Sequence, residues 1–258
     1  MLKELLRQSC GVLLGTFLLS GLAFAENGNN GANCRDLPSH SQLKTALSAA
    51  RNTSNGGFNL EMWATVVNRD GEVCEVVFTG NDRGDQWPGS RVISAQKANT
   101  ANAFSLPGLA LSTANLFTAV QPGGTLFGLQ ESNPVDTSVA YKGNSANYGQ
   151  NNDPMSGEKI GGVNVFGGGL ALYNKNGKLI GAIGVSGDSS CADHNIAWKT
   201  RFALNLDNVP AGVATGAPNG TDNIIYTAGN GFAHPECSAA ATTIGNNLVT
   251  THPVGSNP

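Results

Sequence analysis

Few side chains in this sequence have types and spacing suited to chemistry. Four histidines, His40, His194, His234 and His252, ordinarily titrate near neutral pH, and each ring nitrogen can ligate a metal. His194 sits beside Asp193 at the start of a predicted helix, where a carboxylate can orient the imidazole. His40 opens another predicted helix, and Lys97 is a lone cation on a helix otherwise lined with Ala and Ile. The plain alternative makes the histidines solvated helix-start residues and Lys97 a lysine whose stem snorkels along apolar surface. The pentapeptide Gly184-Val185-Ser186-Gly187-Asp188 resembles the G-x-S-x-G turn of a serine nucleophile, but Asp188 stands where the last glycine is needed. With Ser189 and Ser190 it reads more simply as a strand end, a turn and a helix cap; hydrolysis would also require one of the histidines to reach the serine.

Cysteine usage points to an oxidising compartment. Lys3 and Arg7 precede an apolar stretch from Cys10 to Phe24 that closes on Ala23-Phe24-Ala25, the pattern of a secretory signal peptide over residues 1–25. The expectation is an exported protein, periplasmic or extracellular, with no membrane span after processing; a retained anchor helix is the alternative, for which the apolar stretch is short. The remaining cysteines are Cys34, Cys74, Cys191 and Cys237. Four thiols in an exported chain pair in one of three ways. The expected bonds are Cys34–Cys74 and Cys191–Cys237, because each ties a segment without hydrophobic period to a patterned element. Each closes a loop of about 40 residues, contributing very roughly 2–4 kcal/mol in the chain-entropy account. Zinc is the competing use of these thiols: none sit at C-x-x-C spacing, and of the histidines only His194 and His234 lie three residues from a cysteine.

Composition excludes one large class of partner. Charged residues make up 13% of the chain and the formal net charge is -3, with no Lys/Arg run, so no basic field exists for nucleic acid. Neither a dinucleotide fingerprint nor a P-loop is present. The 34 glycines and 11 prolines read as long loops around a smaller set of patterned elements.

Those elements must position the candidate residues. Residues 26–38 form a flexible leader. Ser39 or Ser41 caps a predicted helix with apolar positions Leu43, Ala46, Leu47 and Ala50. Two β-rich runs, Trp63 to Asn68 and Val73 to Phe78, flank an Asp-Gly turn. Ser90 caps a helix running through Phe104, Pro107 breaks it, and a second helix is predicted from Leu109 to Ala119. Residues 131–162 read as a polar surface insertion. A second hairpin follows, with Val163 to Phe166 and a triple-glycine step leading into Leu170 to Tyr173, and Asn174 to Gly177 turning into Lys178 to Ser186. A last helix spans Ala192 to Leu206, and residues 207–258 form a tail of little period held by Cys237. Hairpins joined by tight turns and separated by helices give an α+β fold with an antiparallel sheet. A single domain over residues 39–206 is expected, with neither an internal repeat nor a second domain.

Several of these segments together resemble the haem-binding family that includes HbpS, GlcG and the C-terminal domain of PduO. The marks are Asn68-Arg69-Asp70-Gly71, the helix from Ala95 to Phe104 with Lys97, the turn Pro122-Gly123-Gly124, and the strand Gly181-Ala182-Ile183-Gly184-Val185-Ser186-Gly187 followed by Asp193. The resemblance runs from about His40 to Leu206. It implies a profilin-like or PAS-like sandwich, an antiparallel sheet with helices packed on it, assembled into homo-oligomers, to which this chain adds a disulfide-tied C-terminal tail. It also implies haem or another small ligand near Lys97 and the Pro-Gly-Gly turn. On that reading His40 or His194 supplies an axial nitrogen, Lys97 pairs with a propionate, and the backbone N–H groups of Gly123 and Gly124 line the pocket. The expected function is an exported protein that sequesters or senses haem without turnover. The alternatives are haem degradation or other small-molecule redox chemistry, and a sensory module that binds a small organic acid.

Overall fold

A computed structural model of the chain describes residues 34–216 and 219–255. The predicted signal peptide and residues 26–33 of the leader lie outside the described residues. The element order is α1 (His40–Arg51), β1 (Trp63–Asn68), β2 (Val73–Phe78), α2 (Ser90–Phe104), two short helices α3 (Leu129–Ser132) and α4 (Thr137–Ala140), β3 (Gly169–Tyr173), β4 (Leu179–Ser186), α5 (Ser190–Ala203) and α6 (Ala239–Thr251). The strands form one antiparallel sheet in the order β2-β1-β4-β3. The fold is therefore the expected α+β sandwich.

Alternation along the strands builds two cores. Trp63 and Val67 of β1 face α2, whose Ala95, Ala98 and Ala101 pack on them. Ala64 and Val66 face the other way, toward Leu43 and Leu47 of α1 and Ile196 and Trp198 of α5. The small residues of α2 let it approach the sheet closely, and β4 meets it with a glycine. A Cβ on Gly184 would stand 1.9 Å from the Ser94 carbonyl oxygen and 2.5 Å from the Ala98 nitrogen, so no other residue fits there without moving the helix. Ser39 caps α1 in a full capping box with Gln42, as its sequence suggests.

The expected disulfides are both present. Cys34–Cys74 and Cys191–Cys237 join residues whose Cα atoms are 5.8 and 5.9 Å apart, tying the segment before α1 to β2 and the tail to α5.

Four local expectations are corrected. Ser90 is the first residue of α2 rather than its cap, which is Gly89. The helix predicted over 109–119 is two 3-10 turns, Thr113–Leu116 and Thr118–Val120. Ser112 and Asn115 close the first as a capping box, and the polar groups that follow bond across the fold: Thr113 Oγ1 donates to the Phe166 carbonyl at 2.5 Å, and Asn115 Nδ2 to that of Asn223 at 2.9 Å. Val163 and Val165 do not add to the sheet but are buried against Leu116 and Val120. Finally, the tail carries the helix α6. Its buried stripe is Ala241, Gly245 and Leu248, too small and sparse to register as hydrophobic period.

The polar insertion is ordered by the edge it covers. Gly157 N–H donates to the Val73 carbonyl at 2.8 Å and Val73 N–H to that of Glu158 at 2.8 Å, so the insertion closes the free side of β2. Arg91 of α2, 2% exposed, forms a bidentate pair with buried Asp153. Asp153 also accepts the N–H groups of Gly149 (2.7 Å) and Met155 (2.9 Å). Removing one partner of a buried pair strands the other charge. Asp153→Ala is thus expected to lower unfolding free energy by about 3–5 kcal/mol. Lys142→Ala, which breaks the exposed Lys142–Glu158 pair of the same insertion, should change it by less than about 1 kcal/mol. Urea unfolding of the two variants checks this, and equal effects would contradict a structural role for the insertion.

Candidate functional site

Two of the expected ligand groups meet in a sealed polar seam at the start of α5. Lys97 reaches from α2 past the end of β4, where its Nζ donates to Asp193 Oδ2 at 2.7 Å and to the Val185 carbonyl at 2.9 Å. Asp193 Oδ1 accepts the Asp188 N–H at 2.8 Å. Lys97 is 0% and Asp193 2% exposed. Burial pulls the ammonium below its usual range and pushes the Asp193 carboxyl up to about 6 against the pull of Lys97. His194, the next residue, is also 0% exposed. Its Nε2 lies 3.1 Å from Asn223 Oδ1 in the tail; that amide oxygen can only accept, so Nε2 carries the ring proton, and the Ile224 N–H donates to the same oxygen at 2.9 Å. Nδ1 has no hydrogen-bond partner, and burial lowers the imidazole to about 4, so it is neutral.

Both residues are held away from solvent: the Lys97 charge is paired with Asp193, and the tail residues Asn223 and Ile224 lie against the His194 ring nitrogen. Gly123 and Gly124 lie apart from both, in a turn after the second 3-10 segment. The Gly124 N–H is spent on the Gln121 carbonyl at 2.7 Å, and a Cβ there would stand 2.2 Å from the Ala119 oxygen.

His40, half-buried at the start of α1, lies beside the insertion that covers the β2 edge of the sheet. Its Nε2 is 2.9 Å from the Gly149 carbonyl oxygen; as that oxygen can only accept, Nε2 carries the proton and Nδ1 keeps a lone pair. Gly149 passes so close to β1 and β2 that a Cβ would stand 2.3 Å from Phe78 and 2.8 Å from Trp63. The preceding residue, Tyr148, lines a cleft of about 220 Å³ with Trp63, Tyr141, Arg83 and Arg91. Arg91 lies under the Tyr148 ring at 3.7 Å, and Asp153 satisfies its charge. The Trp63 Nε1–H is buried without a partner. Tyr141 is 62% exposed and neighbouring Trp87 53%, so the rim carries uncovered aromatic surface. The cleft thus offers the aromatic faces of Tyr141 and Tyr148 and a guanidinium at Arg83, suited to a planar ligand with an acidic group. Sequence reasoning missed this site. Its only trace there is a pair of tyrosines in the polar insertion and a lone arginine, Arg91, in an apolar helix.

A family model described as haem degrading protein HbpS-like matches residues 39–201. The chain belongs to the HbpS-like family. The match spans α1 through most of α5, so both the seam and the cleft fall within it or on its insertion, while the tail and α6 lie beyond it. Among solved structures the chain is similar to that titled as a PduOC:Heme complex, at 25% identity over 64% of this chain and 91% of that one, with a TM-score of 0.45. It is similar to Klebsiella pneumoniae protein ORFY at 24% identity over 64% and 86%, TM-score 0.43. A double mutant of Streptomyces reticuli HbpS shares 16% identity over 70% and 98%, TM-score 0.38. No curated protein matches the chain.

One titrating group borders His40. The Glu75 carboxyl is half-buried near the His40 backbone N–H, and burial pushes it from 4.5 up to about 7. A carboxyl raised in the folded state binds its proton more tightly there than in the unfolded chain, so its contribution to stability is full below pH 4.5 and is lost as pH rises to about 7. Glu75→Gln should therefore raise the melting temperature at pH 8 by a few degrees and leave it nearly unchanged at pH 4. Thermal unfolding at both pH values measures this, and a gain confined to pH 4 would reverse the sign.

Proposed function

We propose that this protein is an exported haem-binding protein that sequesters or senses haem, held at the β2 edge beside His40. The observation that carries the reading is the family match over residues 39–201. The residues at the edge fit such a ligand. Tyr141 and Tyr148 would take one face of the macrocycle, Arg83 would meet a carboxylate, and His40, whose Nδ1 keeps a lone pair beside Gly149, would serve the iron. Bound haem supplies an iron centre that takes up electrons and small ligands. A cleft of about 220 Å³ falls below the roughly 300–1,000 Å³ of sites that engulf their ligands, so only part of the macrocycle is sheltered and the rest faces solvent or a second copy. Export is supported by the basic-apolar-A-x-A pattern of residues 1–25 and by two disulfides.

A second reading, haem degradation, is favoured by the match to a family of haem degrading, HbpS-like proteins. It is separated from storage by adding ascorbate to the haem complex under air. Storage predicts a stable Soret band over hours, and degradation predicts its loss.

Titration of the mature protein with haemin should give a saturable Soret shift. His40→Ala should weaken it by at least about tenfold, equivalent to about 1.4 kcal/mol, while His194→Ala leaves the spectrum unchanged. No saturable shift would overturn haem binding, and a shift indifferent to His40 would overturn the ligand assignment.

A further inference from the structure

The clasp that holds the tail brings together more chemistry than a disulfide needs. His234, 4% exposed, lies against the Cys191–Cys237 bond. One atom from each of Cys191, His234 and Cys237 falls within 4.8 Å of the others, the only such group of three among the described residues. We infer that these three side chains form a redox-gated zinc site, closed while the disulfide is intact and opened when a thiol or phosphine reductant splits it.

The three ligand atoms are already near the spacing a zinc ion needs, once His234 Nδ1 leaves the Pro235 carbonyl it meets at 2.7 Å. With Zn–S of about 2.3 Å and Zn–N of about 2.0–2.1 Å, a tetrahedral ion sets S···S at about 3.8 Å and S···N at about 3.6 Å. His234 Nδ1 is already 4.0 Å from Cys191 Sγ, and the two sulfurs need only spread once their bond is broken. The other ring nitrogen is supported as metal-bound imidazoles usually are: Nε2 lies 2.7 Å from Ser190 Oγ, which accepts the Gly167 N–H at 2.7 Å. The Cys191 N–H donates to Cys237 Sγ at 3.2 Å, a contact that also suits a thiolate. Two sulfurs and an imidazole select a thiophilic ion over calcium or magnesium. Three protein ligands leave the fourth position to water, and Cys237 is exposed, which gives the ion a way in.

The balance of the cycle is simple. The disulfide takes two electrons from the reductant and two protons, from the thiols of a thiol reductant or from water as a phosphine becomes its oxide, and yields two thiols. Zinc displaces both protons and binds the thiolates, while His234 stays neutral, its proton moving from Nδ1, where it meets the Pro235 carbonyl at 2.7 Å, to Nε2. A hydroperoxide or disulfide oxidant removes two electrons, re-forms the Cys191–Cys237 bond and releases the ion.

The test uses the mature protein before and after anaerobic reduction, with zinc(II) as the ligand and cobalt(II) as its spectroscopic stand-in. The inference is independent of haem, and neither result bears on haem binding. Reduced protein should bind one zinc per chain and show thiolate-to-cobalt charge transfer with the intense visible bands of a tetrahedral site; oxidised protein should show neither. His234→Ala keeps both disulfides, and circular dichroism verifies its fold; it should lose roughly a hundredfold or more in zinc affinity, and Ser190→Ala roughly tenfold. Absence of stoichiometric binding after reduction would overturn the inference. So would binding by the oxidised form, or a His234→Ala variant that binds as the parent does, which would place the ion at Cys34 and Cys74.

Discussion

The ion pair between Lys97 and Asp193 is the constraint around which this fold is arranged. The two residues belong to helices on opposite faces of the sheet, and they meet past the end of β4 because Lys97 also bonds the Val185 carbonyl there. Two charges taken out of water cost several kcal/mol each, and only good geometry offsets that. The surroundings supply it. The Asp188 N–H completes the Asp193 carboxylate, and Asp188 in turn accepts the N–H groups of Phe58 at 2.8 Å and Leu60 at 3.2 Å, which fixes the segment between α1 and β1. Glycines give the pair its space. A Cβ on Gly168, at φ 113°, would stand 3.1 Å from that of Asp193, and one on Gly184 would meet Lys97 at 3.0 Å. The pair therefore acts as a rivet between layers, sealed from solvent.

The tail completes that seal. Asn223 bonds His194 with Ile224 against the same ring nitrogen, Asp222 forms a fully buried pair with Arg201, and α6 packs on α5 with Gly245 at the contact. Among the described residues the end of the sheet that carries Lys97 and His194 is consequently closed, and polar reactivity is left at two places. One is the β2 edge, where the insertion brings Tyr141 and Tyr148 up to Trp63. The other is the clasp itself, where His234 meets the disulfide. Both are built partly by segments that read as loops in the sequence.

What the sequence revealed follows from what each residue must do. Strand and hairpin positions were legible because Trp63, Val66, Val67 and Val76 must be apolar to be buried and Gly71 must take a positive φ of 77° in its turn. The disulfides were legible because only patterned elements give a tail something to hold. The 3-10 turns were not, since Thr113 and Asn115 are shaped by bonds to residues far along the chain. Neither was α6, whose buried stripe of Ala241, Gly245 and Leu248 carries one large apolar residue. As for the site, Lys97, His194 and His40 stood out by type, but a charged or titratable residue looks the same in sequence whether it lines a cleft or is locked in a seam. The partners that decide it, Asp193, Ile224 and Gly149, lie far from these residues or carry no chemical signal.

The account places its ligand at the β2 edge and leaves the α5 seam dry. The position of the iron in crystals of the haemin complex, located by its anomalous scattering, tests this most directly. The account predicts one peak beside His40, with the macrocycle against Tyr141 and Tyr148 and the Lys97–Asp193 pair undisturbed. A peak beside His194, with Ile224 and the tail displaced, would contradict it.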